Sequence, residues 1–140
     1  MNEPALFDSS AWIQALRKDY DPAVKMLLEK LLDENRILIT PVIKVELLAG
    51  TRSQKDFQRL KSRLDALPEI PLGQKAWEDV QKFIWRLRRV GLDVPLIDVT
   101  ILVCSQIAGA RLYHRDRHFE LAKKYFRVEM TDLSVADRAY

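Results

Sequence analysis

Ala5-Leu6-Phe7-Asp8-Ser9-Ser10-Ala11-Trp12-Ile13 decides the fold. Three apolar residues read as a short strand, an acid closes it, and either serine can cap the helix that follows through Trp12, Ile13 and Leu16. The same grammar returns late in the chain. Residues 110–114 read as a strand, Asp116 follows it, and residues 116–125 read as a helix. Between these ends, residues 22–33 carry Val24, Leu27, Leu28, Leu31 and Leu32 at helical spacing, and residues 36–39 read as a strand. Thr40-Pro41 supplies a cap and a first-turn proline for a helix that Gly50 can stop. Helices are expected at 55–67, 74–90 and 97–108, a last short strand at 128–130, and a polar tail beyond it. The helix at 97–108 is apolar on all sides, which marks it as buried. Strands alternating with helices predict an α/β domain with a mainly parallel central sheet flanked by helices.

One domain spanning 1–140 is expected, because 140 residues with 48% hydrophobic content suffice for one core and no linker, repeat or low-complexity tract interrupts them. No apolar run approaches the ~18 residues of a membrane span. The start, Met1-Asn2-Glu3-Pro4, lacks a basic secretory n-region. The single cysteine, Cys104, sits in an apolar run and suits a reducing cytoplasm. Against 20 acids stand 23 basic residues, a net charge of +3, clustered in Arg86-Leu87-Arg88-Arg89 and between Arg111 and Arg117. That lean favours an anionic partner such as a phosphate backbone, although a basic helix face in solvent explains the first cluster equally well.

Four acids carry the chemistry. Asp8 and Asp116 each follow a strand, where open α/β sheets gather ligands at the carboxyl ends. As single residues both also suit a helix N-cap. Glu46 is harder to explain, since the helical positions beside it are Val42, Ile43, Ala49 and Gly50. Asp98 lies among Ile97, Val99, Ile101 and Leu102 at a helix start, where a dipole alone could favour it. A carboxylate buried without a partner is costly, and one explanation covers all four: oxygen ligands converging on a divalent cation such as Mg²⁺ or Mn²⁺. Two histidines and a distant cysteine do not make a structural zinc set, and GxSxG, GxxxxGK[ST] and GxGxxG patterns are absent.

On Leu6 to Ile13, Thr40 to Gly50, Pro95-Leu96-Ile97-Asp98 and His114-Arg115-Asp116-Arg117-His118-Phe119, the chain resembles the PIN-domain family and, within it, the VapC-type toxins. The resemblance spans nearly the whole chain in the family's order. It implies a PIN-like fold, a Mg²⁺ or Mn²⁺ site, endonucleolytic cleavage of RNA by metal-activated water, a homodimer and a cognate VapB-type antitoxin. Carried over by position, Asp8, Glu46, Asp98 and Asp116 take the catalytic and metal-binding roles, and Ser10 matches a hydroxyl beside the first aspartate. His118 departs from the pattern, for many relatives carry a second acid there. Its imidazole can hydrogen-bond a phosphate or a water, or simply pack or cap the last helix. Arg115 and Arg117 are candidates for offsetting the repulsion between acids and RNA, and are equally readable as surface residues.

Two other readings compete. A phosphoryl-accepting α/β domain wants acids paired near its first strand, where this chain has two serines. A non-catalytic PIN-like module that binds RNA or protein has no use for a buried Glu46.

Overall fold

The computed structural model describes residues 3–17 and 21–134, so most of the expected polar tail lies outside the described residues. Among the described residues, four parallel strands form the sheet in the order β2-β1-β3-β4: β1 Ala5–Phe7, β2 Ile37–Leu38, β3 Arg111–His114 and β4 Met130–Asp132. Every residue of β1 is buried, as a central parallel strand covered on both faces requires. Its register sets Leu6 beside Leu38 on one side and Leu112 on the other, with Phe7 beside Tyr113.

Helices α1 Ser9–Leu16, α2 Pro22–Asp33, α3 Pro41–Ala49, α4 Gln54–Asp65, α5 Gln74–Arg89, α6 Leu96–Ala108 and α7 Arg117–Ala122 connect and cover the strands. Helix α6 is the buried one: Val99 through Ser105 are all inside. Gly109 ends it with φ of 61°, a left-handed conformation that costs glycine little. Cys104 lies fully buried in its middle, where burial pushes the thiol up to about 12 and leaves it inert.

The differences from expectation have local causes. Asp8, not a serine, caps α1: its carboxylate accepts the Ala11 N–H, and Ser9 is already helical. The last strand is displaced to Met130–Asp132 because pairing sets Met130 beside Leu112 and His114 beside Asp132. The final helix stops at Ala122 and continues only as a 3₁₀ turn, Lys123–Tyr125. The basic stretch between Arg111 and Arg117 is divided: Arg111 begins β3, at the far end from Asp116, and pairs with Glu3.

The chain leaves β1 toward β2 on one side and arrives at β3 on the other, so the sheet has a topological switch point between β1 and β3. Ligand crevices in open α/β sheets form there, outside the carboxyl ends of the strands. Asp8 and Asp116 are the acids that follow those two strands.

Candidate metal centre

Asp8 leaves β1 with its N–H donated to the Tyr113 carbonyl at 3.0 Å, which ties it to the neighbouring strand. Its side chain is only 4% exposed. The Ser10 hydroxyl stands 2.8 Å from both of its carboxylate oxygens and also accepts the Arg115 N–H at 3.3 Å. One hydroxyl therefore links the loop after β1 to the loop after β3. Asp116 caps α7 by accepting the His118 N–H at 2.9 Å. Both aspartates are thus helix caps, and the cap uses one carboxylate oxygen of each.

The other two acids have no such local task. Asp98 sits in the first turn of α6 and Glu46 in the middle of α3. Among the described residues, Asp98 Oδ2 and Glu46 Oε1 are buried with no hydrogen-bond partner. His118 joins them from α7, with Nδ1 2.9 Å from Asp116 Oδ1 and 3.6 Å from Asp98 Oδ2. These are close approaches rather than aligned hydrogen bonds, since Nδ1 has no hydrogen-bond partner either. One ligand atom each from Asp98, Asp116 and His118 lies within 4.8 Å of the others.

The acids feel one another. Burial raises the Asp8 carboxyl to about 7; the Ala11 N–H and Ser10 hydroxyl pull it back, and the charges of Asp98 and Asp116 push it further up. Burial likewise raises Asp98 to about 6, with Asp116 and Glu46 adding to the rise and His118 opposing it. All four acids therefore share one electrostatic neighbourhood. Crowded carboxylates with donorless buried oxygens are a poor arrangement alone and a fitting one around a hard cation. Asp98, Asp116, Glu46 and Asp8 are the residues that could hold it.

A stability prediction follows from these values. Asp8 titrates near 3.8 when unfolded and near 7 when folded. Folding is therefore favoured by its protonation, and that contribution is complete below 3.8 and lost as pH rises through 7. In Asp8→Asn the penalty disappears. Urea unfolding in EDTA at pH 8 should find the variant more stable than the wild type by up to about 4 kcal/mol, with the difference vanishing at pH 4. Equal stabilities at pH 8 would show that Asp8 carries no such charge penalty.

The remaining candidates fall at the edge. Arg117 is exposed and Arg115 half-buried. Asp132 is held below the usual carboxylate range: its burial is outweighed by hydrogen bonds from Ser134, with the charge of Arg115 adding to them. Arg115 thus acts on the end of β4, while its backbone N–H is held by Ser10. The basic cluster on α5 is exposed apart from Leu87, and Arg89 lies over the Trp85 ring at 4.9 Å. Sequence reasoning missed His114, which is fully buried beneath Asp116. Its signal was a histidine at the last position of a buried strand.

Fold and centre together define an α/β domain with a cluster of acids at its switch point. The PIN domain model matches residues 5–125, and the chain belongs to that family. Ribonuclease VapC18 of Mycobacterium tuberculosis is 27% identical over 117 residues, covering 81% of this chain and 82% of that protein. In fold, the chain is similar to VapBC2 from Rickettsia felis bound to a DNA fragment from its promoter, with a TM-score of 0.72 and 20% identity, covering 91% and 97% of the two chains. It is also similar to DNA-bound VapBC from Salmonella typhimurium, with a TM-score of 0.73 and 17% identity, covering 94% and 98%.

Proposed function

We propose that this chain is a metal-dependent endoribonuclease and the toxin of a type II toxin–antitoxin pair. The observation that carries the proposal is the pair of buried, donorless oxygens, Glu46 Oε1 and Asp98 Oδ2, in one electrostatic neighbourhood with Asp8 and Asp116. Membership of the PIN family and the likeness to a VapC ribonuclease support the RNA-cleaving reading. A bound Mg²⁺ or Mn²⁺ would supply an acidified water and positive charge against the scissile phosphate. Asp8, Glu46, Asp98 and Asp116 are its proposed holders. Ser10 orients the Asp8 carboxylate and keeps the β3 loop against it. His118, 40% exposed at its side chain beside Asp116, can donate to a phosphate oxygen. Arg115 and Arg117 offset the repulsion between the acids and the RNA backbone.

The partner proposed is a VapB-type antitoxin, supported by the VapBC structures to which the fold is similar. A groove of about 250 Å³ between α1, α2 and α4 suits an amphipathic segment of it: Trp12, Leu28 and Leu64 form an apolar bed, and Lys25, Glu29 and Arg63 line it too. Self-association belongs to the same proposal, supported by the exposed apolar residues Trp77, Trp85, Leu96 and Ile97 on α5 and the start of α6. So does action in the cytoplasm. Among the described residues no helix is long and apolar enough to cross a membrane.

The test is expression without an antitoxin. The wild-type chain should arrest growth of its host, and Glu46→Gln at equal abundance should be tolerated. A wild type that is harmless at high expression would remove the toxin assignment.

A further inference from the structure

His114 ends β3, and not one part of its side chain reaches solvent. An apolar residue would fill that place at lower cost, because a buried imidazole must find partners for both nitrogens. Here both are found. The Asp116 N–H donates to Nδ1 at 3.2 Å, and Nε2 stands 3.0 Å from Glu120 Oε1. A backbone N–H can only donate, so Nδ1 is the acceptor and the ring proton sits on Nε2. That proton points at the Glu120 carboxylate, an arrangement that selects the tautomer. Phe119 packs against the ring with centroids 5.1 Å apart, and the Leu133 N–H holds the His114 carbonyl at 2.7 Å.

We infer that His114 is a positioning residue for the carboxylate centre: through Nδ1 it holds the Asp116 backbone and so sets where the Asp116 carboxylate and the His118 ring stand. The loop that carries these groups has three ties in a row. Arg115 N–H is held by Ser10, Asp116 N–H by His114, and His118 N–H by the Asp116 carboxylate. The middle tie is the one anchored in the core. Glu120 acts at one remove, by engaging Nε2 and so keeping the ring turned with Nδ1 toward the Asp116 N–H. Groups that orient ligands in this way commonly change metal affinity by about 10- to 100-fold when removed. The inference rests on the proposed centre, and it makes a claim about the metal-free protein that is independent of any cleavage.

Two measurements test it. In the metal-free, full-length protein with ¹⁵N-labelled histidine, the His114 ring should show an unprotonated Nδ1 and a protonated Nε2. A protonated Nδ1 would overturn the inference, whether or not the chain cleaves RNA. The second measurement compares His114→Asn with His114→Gln by Mn²⁺ titration and by RNA cleavage. Asn places its Oδ1 where Nδ1 stood and can still accept the Asp116 N–H; Gln places its polar atoms nearer the Nε2 position. The Asn variant should keep Mn²⁺ affinity within about threefold of wild type, and the Gln variant should lose about tenfold or more. In cleavage the Gln variant should lose kcat with KM for RNA little changed. Equal losses in both variants, as simple damage to packing predicts, or wild-type affinity in His114→Gln, would overturn the assignment. Should the wild type cleave no RNA, the order of Mn²⁺ affinities still decides the role of His114, and only the nuclease reading falls.

Discussion

Asp98→Asn should weaken Mn²⁺ binding by at least about 100-fold and reduce RNA cleavage in step, while leaving the fold intact. Asp98 lies close to its fellows, for Asp116 and Glu46 both press on it and His118 Nδ1 stands 3.6 Å from its Oδ2. That oxygen is buried and accepts no hydrogen bond, so its charge is unused unless a cation arrives. Asparagine has nearly the same shape and removes the charge, so the packing of α6 around Val99 and Leu102 should survive. Without metal the variant should be no less stable than wild type at pH 8, because burial and neighbouring acids already raise the wild-type carboxyl to about 6. Loss of affinity without loss of stability separates this outcome from unfolding. Mn²⁺ titration followed by electron paramagnetic resonance, beside a thermal melt in EDTA, measures both. Superimposable titration curves for the variant and the wild type would show that Asp98 is not part of a cation site.

Much of this was legible in the chain wherever the cause is local. Helix α2 runs over the expected residues, 22–33, because Asp21 caps it and Pro22 opens it. Thr40-Pro41 likewise announces α3, and the Thr40 hydroxyl accepts the Ile43 N–H as a cap should. Glu46 was conspicuous because its helical neighbours are small or apolar, and its Oε1 proves buried without a partner. What could not be read depends on residues far apart. The register of β4 is decided by Leu112 and Met130 in neighbouring strands, not by the strand's own composition. Arg111 looked like part of a basic patch, yet its partner is Glu3, at the other end of the chain. His118 was left between several roles by its spacing, and only the approach of α7 to α6 brings its ring beside Asp98 and Asp116. His114 has a role only once the loop after β3 folds back so that the Asp116 N–H meets its ring.

Were the four acids to hold a cation, water activated there would attack the RNA, and the ends of a cut RNA test this most directly. Ribonucleases without metal turn the ribose 2′-hydroxyl on the phosphate with a general acid–base pair, and leave a cyclic phosphate. Attack by a water activated at a cation instead breaks the bond to the 3′-oxygen and leaves a 5′-phosphate and a 3′-hydroxyl. The 2′-hydroxyl takes no part, so a 2′-deoxy sugar at the scissile nucleotide should still permit cleavage. End-group analysis should be run on one RNA with Mn²⁺, with EDTA, and with Glu46→Gln as the control for contaminating nuclease. The account predicts 5′-phosphate and 3′-hydroxyl ends with Mn²⁺, and no products in either control. Cyclic phosphate ends, or cleavage that persists in EDTA and in Glu46→Gln, would contradict it.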